Sequence, residues 1–219
     1  MIPRIIHYIW FGDPAKKPIN RIESWKRALA GWEIREWTER ELADKTIFGY
    51  DFVKRAYALK LYALCTDPLR FLILQEFGGI WFDTDVVVHR DLTPLLDCSL
   101  LLGRHPTEGI NVGVIGIQAG HPLCQAVLDH YEREWSCFPE MPKGKFVAQY
   151  GTIYPPEKIL MQELKQRYGL LLPTDSEDFP TQEDGVFRFR DAFDLSIVGK
   201  SHPELNYTEH LRERSWWRP

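Results

Sequence analysis

Two aspartates interrupt the most strand-like stretch of this 219-residue chain. Residues 80–88 are apolar or β-branched, apart from Asp83-Thr84-Asp85 at their centre. In regular strand geometry, residues two positions apart point to the same face. Two carboxylates on a half-buried face are costly unless a cation neutralises them, and Mg²⁺ or Mn²⁺ accepts carboxylates together with phosphate oxygens. The pattern therefore predicts a metal–diphosphate site on a strand. A surface turn with solvated aspartates is the alternative, which the apolar flanks oppose.

Strand-like and helix-like segments alternate along the chain, which indicates an α/β fold with crossover connections. Apolar runs predict strands over residues 5–11, 80–88, 100–103 and 112–118, and an alternating pattern predicts a short strand over 33–37. Helices are expected after Pro18, after a capping box formed by Thr38 and Glu41, over 56–64, from Pro68 to 77 with Asp67 as its N-cap, after His121, and over 156–168. Residues 136–156 are polar and aperiodic, and we expect a mobile loop there.

Composition excludes several classes of protein. The length suits one domain, and a net charge of −4 argues against nucleic acid or an acidic membrane as the main partner. The four cysteines form no C-x-x-C pair, so zinc ribbons and redox motifs are excluded and buried free thiols are expected. The N-terminus lacks the features of a signal peptide, and no apolar run is long enough to span a membrane, so a cytoplasmic location is expected.

Aromatic residues make up 13% of the chain, which suits either a heavy core or a surface that stacks on sugars and bases. Trp10, at the end of the first predicted strand, lies where α/β sheets bind ligands, or else belongs to the core. Asp67 and Arg70 could bind a sugar and its phosphates, or serve as a helix cap and a surface ion pair.

The C-terminal tail has two interpretations as well. His210 could ligate a metal or lie on the surface, and the pair Trp216-Trp217 could close over a nucleotide or anchor the terminus. Trp25 and Trp37 are predicted to be core residues.

Together these pieces resemble glycosyltransferase family 32, the DXD group of sugar transferases. The resemblance begins over residues 2–12, is strongest over 62–74 and 77–85, weakens after about residue 120 and returns at the tail. It implies a GT-A fold, with a single Rossmann-like nucleotide-sugar-binding domain and a mixed central sheet flanked by helices. That domain would span residues 1–219, with a donor half at 1–120 and, at 121–219, an acceptor half and a tail that closes over the donor.

The resemblance also implies roles for individual residues. Four of them would be catalytic: Arg70, Asp83, Asp85 and Asn111. Binding of the donor is implied for Trp10, Asp67, Arg70, Trp81, Asp83, Ser215, Trp216 and Trp217, and metal ligation for Asp83, Asp85 and His210. Three positions depart from the family pattern: Pro68 replaces an aliphatic or small residue, Trp81 a tyrosine, and Arg214 a glycine.

The implied reaction is retaining transfer of a hexose from a nucleotide diphosphate sugar, with UDP favoured over GDP, to a hydroxyl of a glycan or lipid-linked glycan acceptor. Mn²⁺ or Mg²⁺ would be the cofactor, surface polysaccharide synthesis the setting, and the inner face of the membrane a site of peripheral association. One alternative is a metal-dependent nucleotidyltransferase, but Gly12-Asp13-Pro14 supplies no phosphate loop. The other is a non-catalytic sugar-binding domain, which would not need two aspartates in an apolar stretch.

Overall fold

The computed structural model describes residues 1–105, 109–135, 140–146, 156–168, 186–189 and 208–210. The strands are β1 (Ile5–Ile9), β2 (Glu33–Trp37), β3 (Gly79–Phe82), β4 (Val86–Val88), β5 (Leu100–His105), β6 (Gly109–Ile117), β7 (Val186–Phe189) and β8 (Thr208–His210). The α-helices are α1 (Ile19–Ala28), α2 (Glu39–Leu42), α3 (Asp51–Ala58), α4 (Tyr62–Phe77), α5 (Pro122–Trp135) and α6 (Pro156–Tyr168). The expected alternation of strands and helices is confirmed.

Six strands form one mixed sheet in the order β2-β1-β3-β6-β5-β7, and β4 pairs with β8 in a separate two-stranded sheet. β1 is parallel to both β2 and β3, whereas β6 is antiparallel to β3 and to β5. β3 therefore lies at the switch between the parallel and antiparallel parts. Because β1 and β3 run side by side in the same direction, Trp10 and Asp83 emerge at the same edge of the sheet.

The two faces of the sheet are packed by different helices. Alternation along β3 sends Ile80 and Phe82 to the face covered by α1, and Trp81 to the face covered by α3, α4, α5 and α6. Trp25 of α1 is fully buried and contacts Tyr8 and Phe82 edge-on, with ring centroids 5.6 and 5.3 Å apart. The predicted core positions of Trp25 and Trp37 are confirmed.

Two predicted helix boundaries are wrong. The helix expected over 56–64 is interrupted, because α3 ends at Ala58 and α4 begins at Tyr62. The expected N-cap at Asp67 and helix start at Pro68 fall inside a single helix, α4, which begins at Tyr62. A proline inside a helix removes a backbone hydrogen bond and typically costs about 3 kcal/mol. Buried side chains on both sides of Pro68 stabilise the continuous helix, since Leu64 and Leu69 are almost completely covered. Asp67 is thereby free to pair with a residue one turn further along α4.

The cysteines behave as predicted where they are described. Cys65, Cys98 and Cys124 are buried free thiols, and burial raises the pKa of Cys65 and Cys124. Cys137 lies outside the described residues. Among the described helices, none is both long enough and apolar enough to cross a membrane.

Two consecutive glycines join α4 to β3. Gly78 and Gly79 have φ values of 62° and 99°, in the left-handed region that favours glycine. A Cβ on Gly79 would lie 2.7 Å from the carbonyl oxygen of Ile5 and 3.0 Å from Nε2 of His7. The glycine therefore allows β3 to approach β1 closely.

We expect Gly79→Ala to lower the free energy of unfolding by about 2–4 kcal/mol, the sum of backbone strain and overpacking. Gly31→Ala is the matched control, because Gly31 has a φ of 82° but open space where its Cβ would lie. It should lose about 1 kcal/mol from strain alone. Urea unfolding of both variants checks the difference, and equal losses would contradict the steric explanation.

His7 is a fully buried, neutral histidine of β1 whose ring contacts Trp37 and the glycine that follows α4. Its Nδ1 accepts a hydrogen bond of 3.1 Å from the indole N–H of Trp37, so Nε2 carries the proton and donates to the carbonyl of Gly78 at 2.8 Å. Burial is the main cause that lowers the pKa of His7 to about 4. Burial lowers the pKa of His121 to about 4 as well.

The free energy of unfolding should fall in mild acid, because these two histidines bind protons in the unfolded chain while they stay neutral in the folded protein. Each contribution is fully present above pH 6.5 and lost progressively as the pH falls towards 4. The complete loss is about 3 kcal/mol per histidine. Between pH 7 and 5, the free energy of unfolding of His7→Gln, measured with urea, should fall with pH about half as steeply as that of the wild type. The exposed control His89→Gln should match the wild type, and an unchanged slope in His7→Gln would contradict the assignment.

Candidate functional site

The two aspartates do not lie on one strand. β3 ends at Phe82, and β4 begins at Val86 in the other sheet. Between them Asp83, Thr84 and Asp85 form a turn, which we call the carboxylate turn, closed by a 3.1 Å hydrogen bond from the N–H of Val86 to the carbonyl of Asp83. The prediction of a single strand with both carboxylates on one face is therefore wrong. After Asp83 the chain turns away from β6, because the next strand, β4, pairs with β8.

Both carboxylates of the turn are half-buried. The backbone N–H of Asp83 donates to the carbonyl of Gly113 at 2.9 Å, which ties the start of the turn to β6. The turn lies at the carboxyl end of β3, at the switch in strand direction, where open α/β sheets bind ligands. It is neither the regular strand that was predicted nor the fully solvated turn that was the alternative.

Arg70 is the centre of the charged cluster beneath this turn. Its side chain is 4% exposed and donates to Asp67 at 2.8 Å and to the carbonyl of Val112 at 2.7 Å. Its Nη1 also lies 3.6 Å from Oδ1 of Asp83, which is an ion pair without a hydrogen bond. The structure thus brings together three predicted site residues, Asp67, Arg70 and Asp83.

Arg70 keeps its positive charge although it is buried. Burial acts to lower its pKa and is the largest single effect, but the carboxylates of Asp83, Asp67 and Glu157 together outweigh burial, so the pKa is raised. Glu157, a half-buried residue in the first turn of α6, was not singled out from the sequence. A glutamate there resembles an ordinary residue that complements the helix dipole, so no local signal could have identified it.

Trp81 contacts both Asp83 and Arg70. Its indole N–H donates to Oδ1 of Asp83 at 2.8 Å, and its ring centre lies 5.1 Å from the guanidinium carbon of Arg70. The residue is only 2% exposed. The described contribution of Trp81 is its hydrogen bond to Asp83, and its implied role in binding the donor stays a prediction.

Trp10 is half-buried and follows β1 at the same edge of the sheet as the carboxylate turn. Its backbone N–H donates to the carbonyl of Trp37 at 3.2 Å, and its indole N–H donates to the carbonyl of Asp13 at 3.3 Å. These contacts fix the ring while leaving part of it exposed. Stacking of a nucleotide base on Trp10 stays a prediction that this position favours.

The remaining predicted residues are described only in part. Asn111 lies on β6 opposite Gly103, just beyond a register shift in the β5–β6 pairing. The backbone of His210 is paired with that of Val86, next to Asp85. The side chains of Asn111 and His210 are not described. Ser215, Trp216 and Trp217 lie outside the described residues, as does most of the expected mobile loop at 136–156.

The carboxylate turn suits a divalent ion that arrives with a diphosphate. The described residues contain no cluster of three or more histidine, cysteine, aspartate or glutamate side chains that could hold an ion. Asp83 and Asp85 provide two carboxylates, which is the number that Mg²⁺ commonly takes from protein before phosphate oxygens and water complete its shell. The oxygen-only ligand set fits Mg²⁺ or Mn²⁺.

The mixed sheet, its flanking helices and the carboxylate turn at the strand switch define a GT-A-like α/β fold. The solved structure of the PaToxG glycosyltransferase has a similar fold, with a TM-score of 0.54, 16% sequence identity, and coverage of 75% of this chain and 68% of that one. Residues 16–101 match the family model described as the glycosyltransferase sugar-binding region containing a DXD motif. The family-model match supports the resemblance to the family 32 type of glycosyltransferase, and the PaToxG structure agrees with the fold that this resemblance implies.

Two curated relatives are each similar to about three fifths of the chain. Inositol phosphoceramide mannosyltransferase 3 of Schizosaccharomyces pombe is 29% identical over 134 residues, which cover 60% of this chain and 38% of the relative. Mannosyl phosphorylinositol ceramide synthase SUR1 of Saccharomyces cerevisiae is 28% identical over 153 residues, covering 62% and 37%. The chain thus spans less than two fifths of the length of these two relatives.

Proposed function

We propose that this chain transfers a hexose from a nucleotide diphosphate sugar to a hydroxyl group of an acceptor, with Mn²⁺ or Mg²⁺ bound at the carboxylate turn. The observation that carries the proposal is the buried ion-pair network of Asp67, Arg70 and Asp83 directly beneath that turn. All of these residues and Asp85 lie within the matched sugar-binding region. A purely structural ion pair would not require a second, half-buried carboxylate next to it.

The residues of the network would act mainly by fixed electrostatics. Arg70 cannot reorient freely, because Asp67 and the carbonyl of Val112 hold its guanidinium. It in turn holds Asp83 close to the position in which that carboxylate, with Asp85, would bind the ion. A preorganised site of this kind need not rearrange when charge develops in the transition state. The divalent ion would neutralise the negative charge of the departing diphosphate.

Trp10 and Asp67 would position the two ends of the donor. The half-exposed ring of Trp10 is suited to stacking on the base, and Asp67 to accepting a hydrogen bond from a sugar hydroxyl. For the chemical step we propose a same-face, ion-pair-like displacement. The bond between the anomeric carbon and the diphosphate oxygen breaks, the acceptor oxygen bonds to that carbon on the same face, and the leaving phosphate accepts the acceptor proton, so the anomeric configuration is retained.

The names of the relatives favour mannose as the transferred sugar and a lipid-borne polyol as the acceptor. A lipid-linked acceptor agrees with the resemblance discussed above. Mannose is commonly activated as GDP-mannose, so GDP-mannose and the UDP-sugars expected from the sequence are the donors to compare. A role in surface polysaccharide synthesis and a cytoplasmic location, with association at the inner face of the membrane, stay predictions.

The test begins with melting temperatures of the purified protein in the presence of UDP, GDP, UDP-glucose, UDP-galactose and GDP-mannose, each with and without Mn²⁺. A ligand at 100 times its Kd stabilises the folded state by about 2.7 kcal/mol. The expected result is a metal-dependent rise with one nucleotide family, followed by slow release of the free sugar and the nucleoside diphosphate from the matching donor.

Products separate this proposal from its alternatives. A nucleotidyltransferase would release pyrophosphate, and a non-catalytic domain would bind a sugar or nucleotide without hydrolysing any donor. Absence of binding and hydrolysis with every nucleotide in the presence of Mn²⁺ would refute the proposal.

A further inference from the structure

Helix α1 holds the carboxylate turn through two side chains. The guanidinium of Arg21 donates to the carbonyl of Thr84 at 3.0 Å, and the indole N–H of Trp25 donates to the carbonyl of Val86 at 2.8 Å. Arg21 and Trp25 are four residues apart and therefore lie on the same face of the helix. One helix thus holds the backbone in the middle of the turn and just after it.

We propose that Arg21 is a positioning residue, which holds the carbonyl of Thr84 and so sets the geometry in which Asp83 and Asp85 bind a divalent ion with a nucleoside diphosphate. The inference rests on the proposed function. It assigns a role to a residue that neither the sequence patterns nor the family resemblance singled out.

The anchoring of α1 makes this role physically sound. Trp25 is fully buried and packs edge-on against Phe82, the last residue of β3, and against Tyr8 of β1. The backbone of Arg21, four residues before Trp25 in the helix, is therefore fixed relative to the sheet that carries the carboxylate turn. Functional groups on rigid elements hold their geometry more precisely than groups on loops.

The turn needs support because its two ends belong to different sheets. Trp81 holds the carboxylate of Asp83, while Arg21 holds the backbone of the next residue, Thr84. One contact therefore holds the carboxylate of Asp83, and the other holds the peptide that links Thr84 to Asp85. Loss of the Arg21 contact would let that peptide rotate, and the ion would then have to order it on binding. Removal of groups that orient metal ligands typically weakens metal binding by about 10–100-fold.

The experiment titrates Mn²⁺ calorimetrically in the presence of saturating UDP or GDP, whichever raises the melting temperature. Arg21→Met removes every donor at similar side-chain length, and Arg21→Lys keeps a charged donor. Arg27→Met is the matched control, because Arg27 is an exposed residue of the same helix. We expect the Mn²⁺ Kd to rise about tenfold in Arg21→Met and at least about threefold in Arg21→Lys. The Kd of Arg27→Met should stay at the wild-type value.

Kinetics and stability distinguish positioning from a merely structural role. Raising the Mn²⁺ concentration should largely restore the KM for the donor in Arg21→Met, whereas a general loss of folding would not respond to metal. If Arg21→Met does not fold, Arg21→Lys decides, and a wild-type Kd in that variant overturns the inference.

Two negative results have different meanings. If wild type binds Mn²⁺ with the nucleotide, Asp85→Asn does not, and Arg21→Met matches Arg27→Met, the role of Arg21 is refuted and the proposed function stands. If wild type binds Mn²⁺ with neither nucleotide, the proposed function fails and this inference fails with it.

Discussion

Asp85→Asn is expected to lose at least about a thousandfold in kcat/KM for sugar transfer while keeping its fold. The substitution preserves the size of the side chain but removes the negative charge that would hold the divalent ion. Metal stabilisation of developing charge is worth several kcal/mol, and about 4 kcal/mol corresponds to a thousandfold in rate. Asp85 is half-buried in a turn, so its replacement leaves the core intact. The measurement is donor turnover across a range of Mn²⁺ concentrations, together with the melting temperature.

Asp97→Asn is the matched control, since Asp97 is exposed and lies away from the carboxylate turn in the chain. It should keep the activity of the wild type. Asp83 is a less clean target because its carboxylate also accepts from Trp81 and pairs with Arg70. Activity of Asp85→Asn within about tenfold of the wild type would refute a direct role of Asp85 in binding the ion.

Arg70→Met is expected to destabilise the fold by about 3–5 kcal/mol, the typical cost of leaving one partner of a buried ion pair without its countercharge. Asp67 is only 7% exposed and its Oδ1 accepts from Arg70. Without the guanidinium, burial would raise the pKa of Asp67 above its ordinary value. The deficit relative to wild type should then shrink as the pH falls, because protonation removes the buried charge. Urea unfolding between pH 7 and 4 measures both effects.

The double variant Arg70→Met/Asp67→Asn tests the cause. Replacing both partners of the pair should recover a large part of the stability lost by Arg70→Met alone, because Asp67 is the most deeply buried carboxylate around Arg70, whereas Asp83 and Glu157 are half-buried. Arg40→Met is the surface control, since the side chain of Arg40 is 92% exposed, and its stability should change by less than about 0.5 kcal/mol. Additive losses in the double variant would mean that packing, and not charge, makes Arg70 important.

Features that depend on neighbouring residues could be predicted from the sequence. The capping box of Thr38 and Glu41 forms at the start of α2, and α6 has the bounds expected from its pattern. The order of Trp10, Asp67, Arg70 and the two aspartates was enough for the family resemblance, and that resemblance implied the fold class that the structure has. The capping and periodicity signals lie within short windows, and the motif residues are recognised by their order and spacing over residues 10–85.

Features that depend on distant contacts could not be predicted. The end of β3 at Phe82 follows from the pairing of β4 with β8, and the apolar pattern of residues 80–88 contains no trace of that partner. Pro68 is a reliable helix-start signal locally, but burial within the core makes α4 continuous through it. Two further interactions likewise form only once the helices have packed: the electrostatic interaction of Glu157 with Arg70, and the hydrogen bond from Arg21 to the carbonyl of Thr84.

The pairing of Val86 with His210 also affects the order of folding. These residues are more than a hundred positions apart, yet they are neighbours in the two-stranded sheet that continues from the carboxylate turn. Closing so long a loop carries a high entropic cost, so such contacts form after the local ones. During synthesis, β1, α4 and β3 can assemble long before β8 leaves the ribosome. The turn should therefore be among the last parts to mature, and a nascent chain should gain metal-dependent nucleotide binding only after residue 210 has been made.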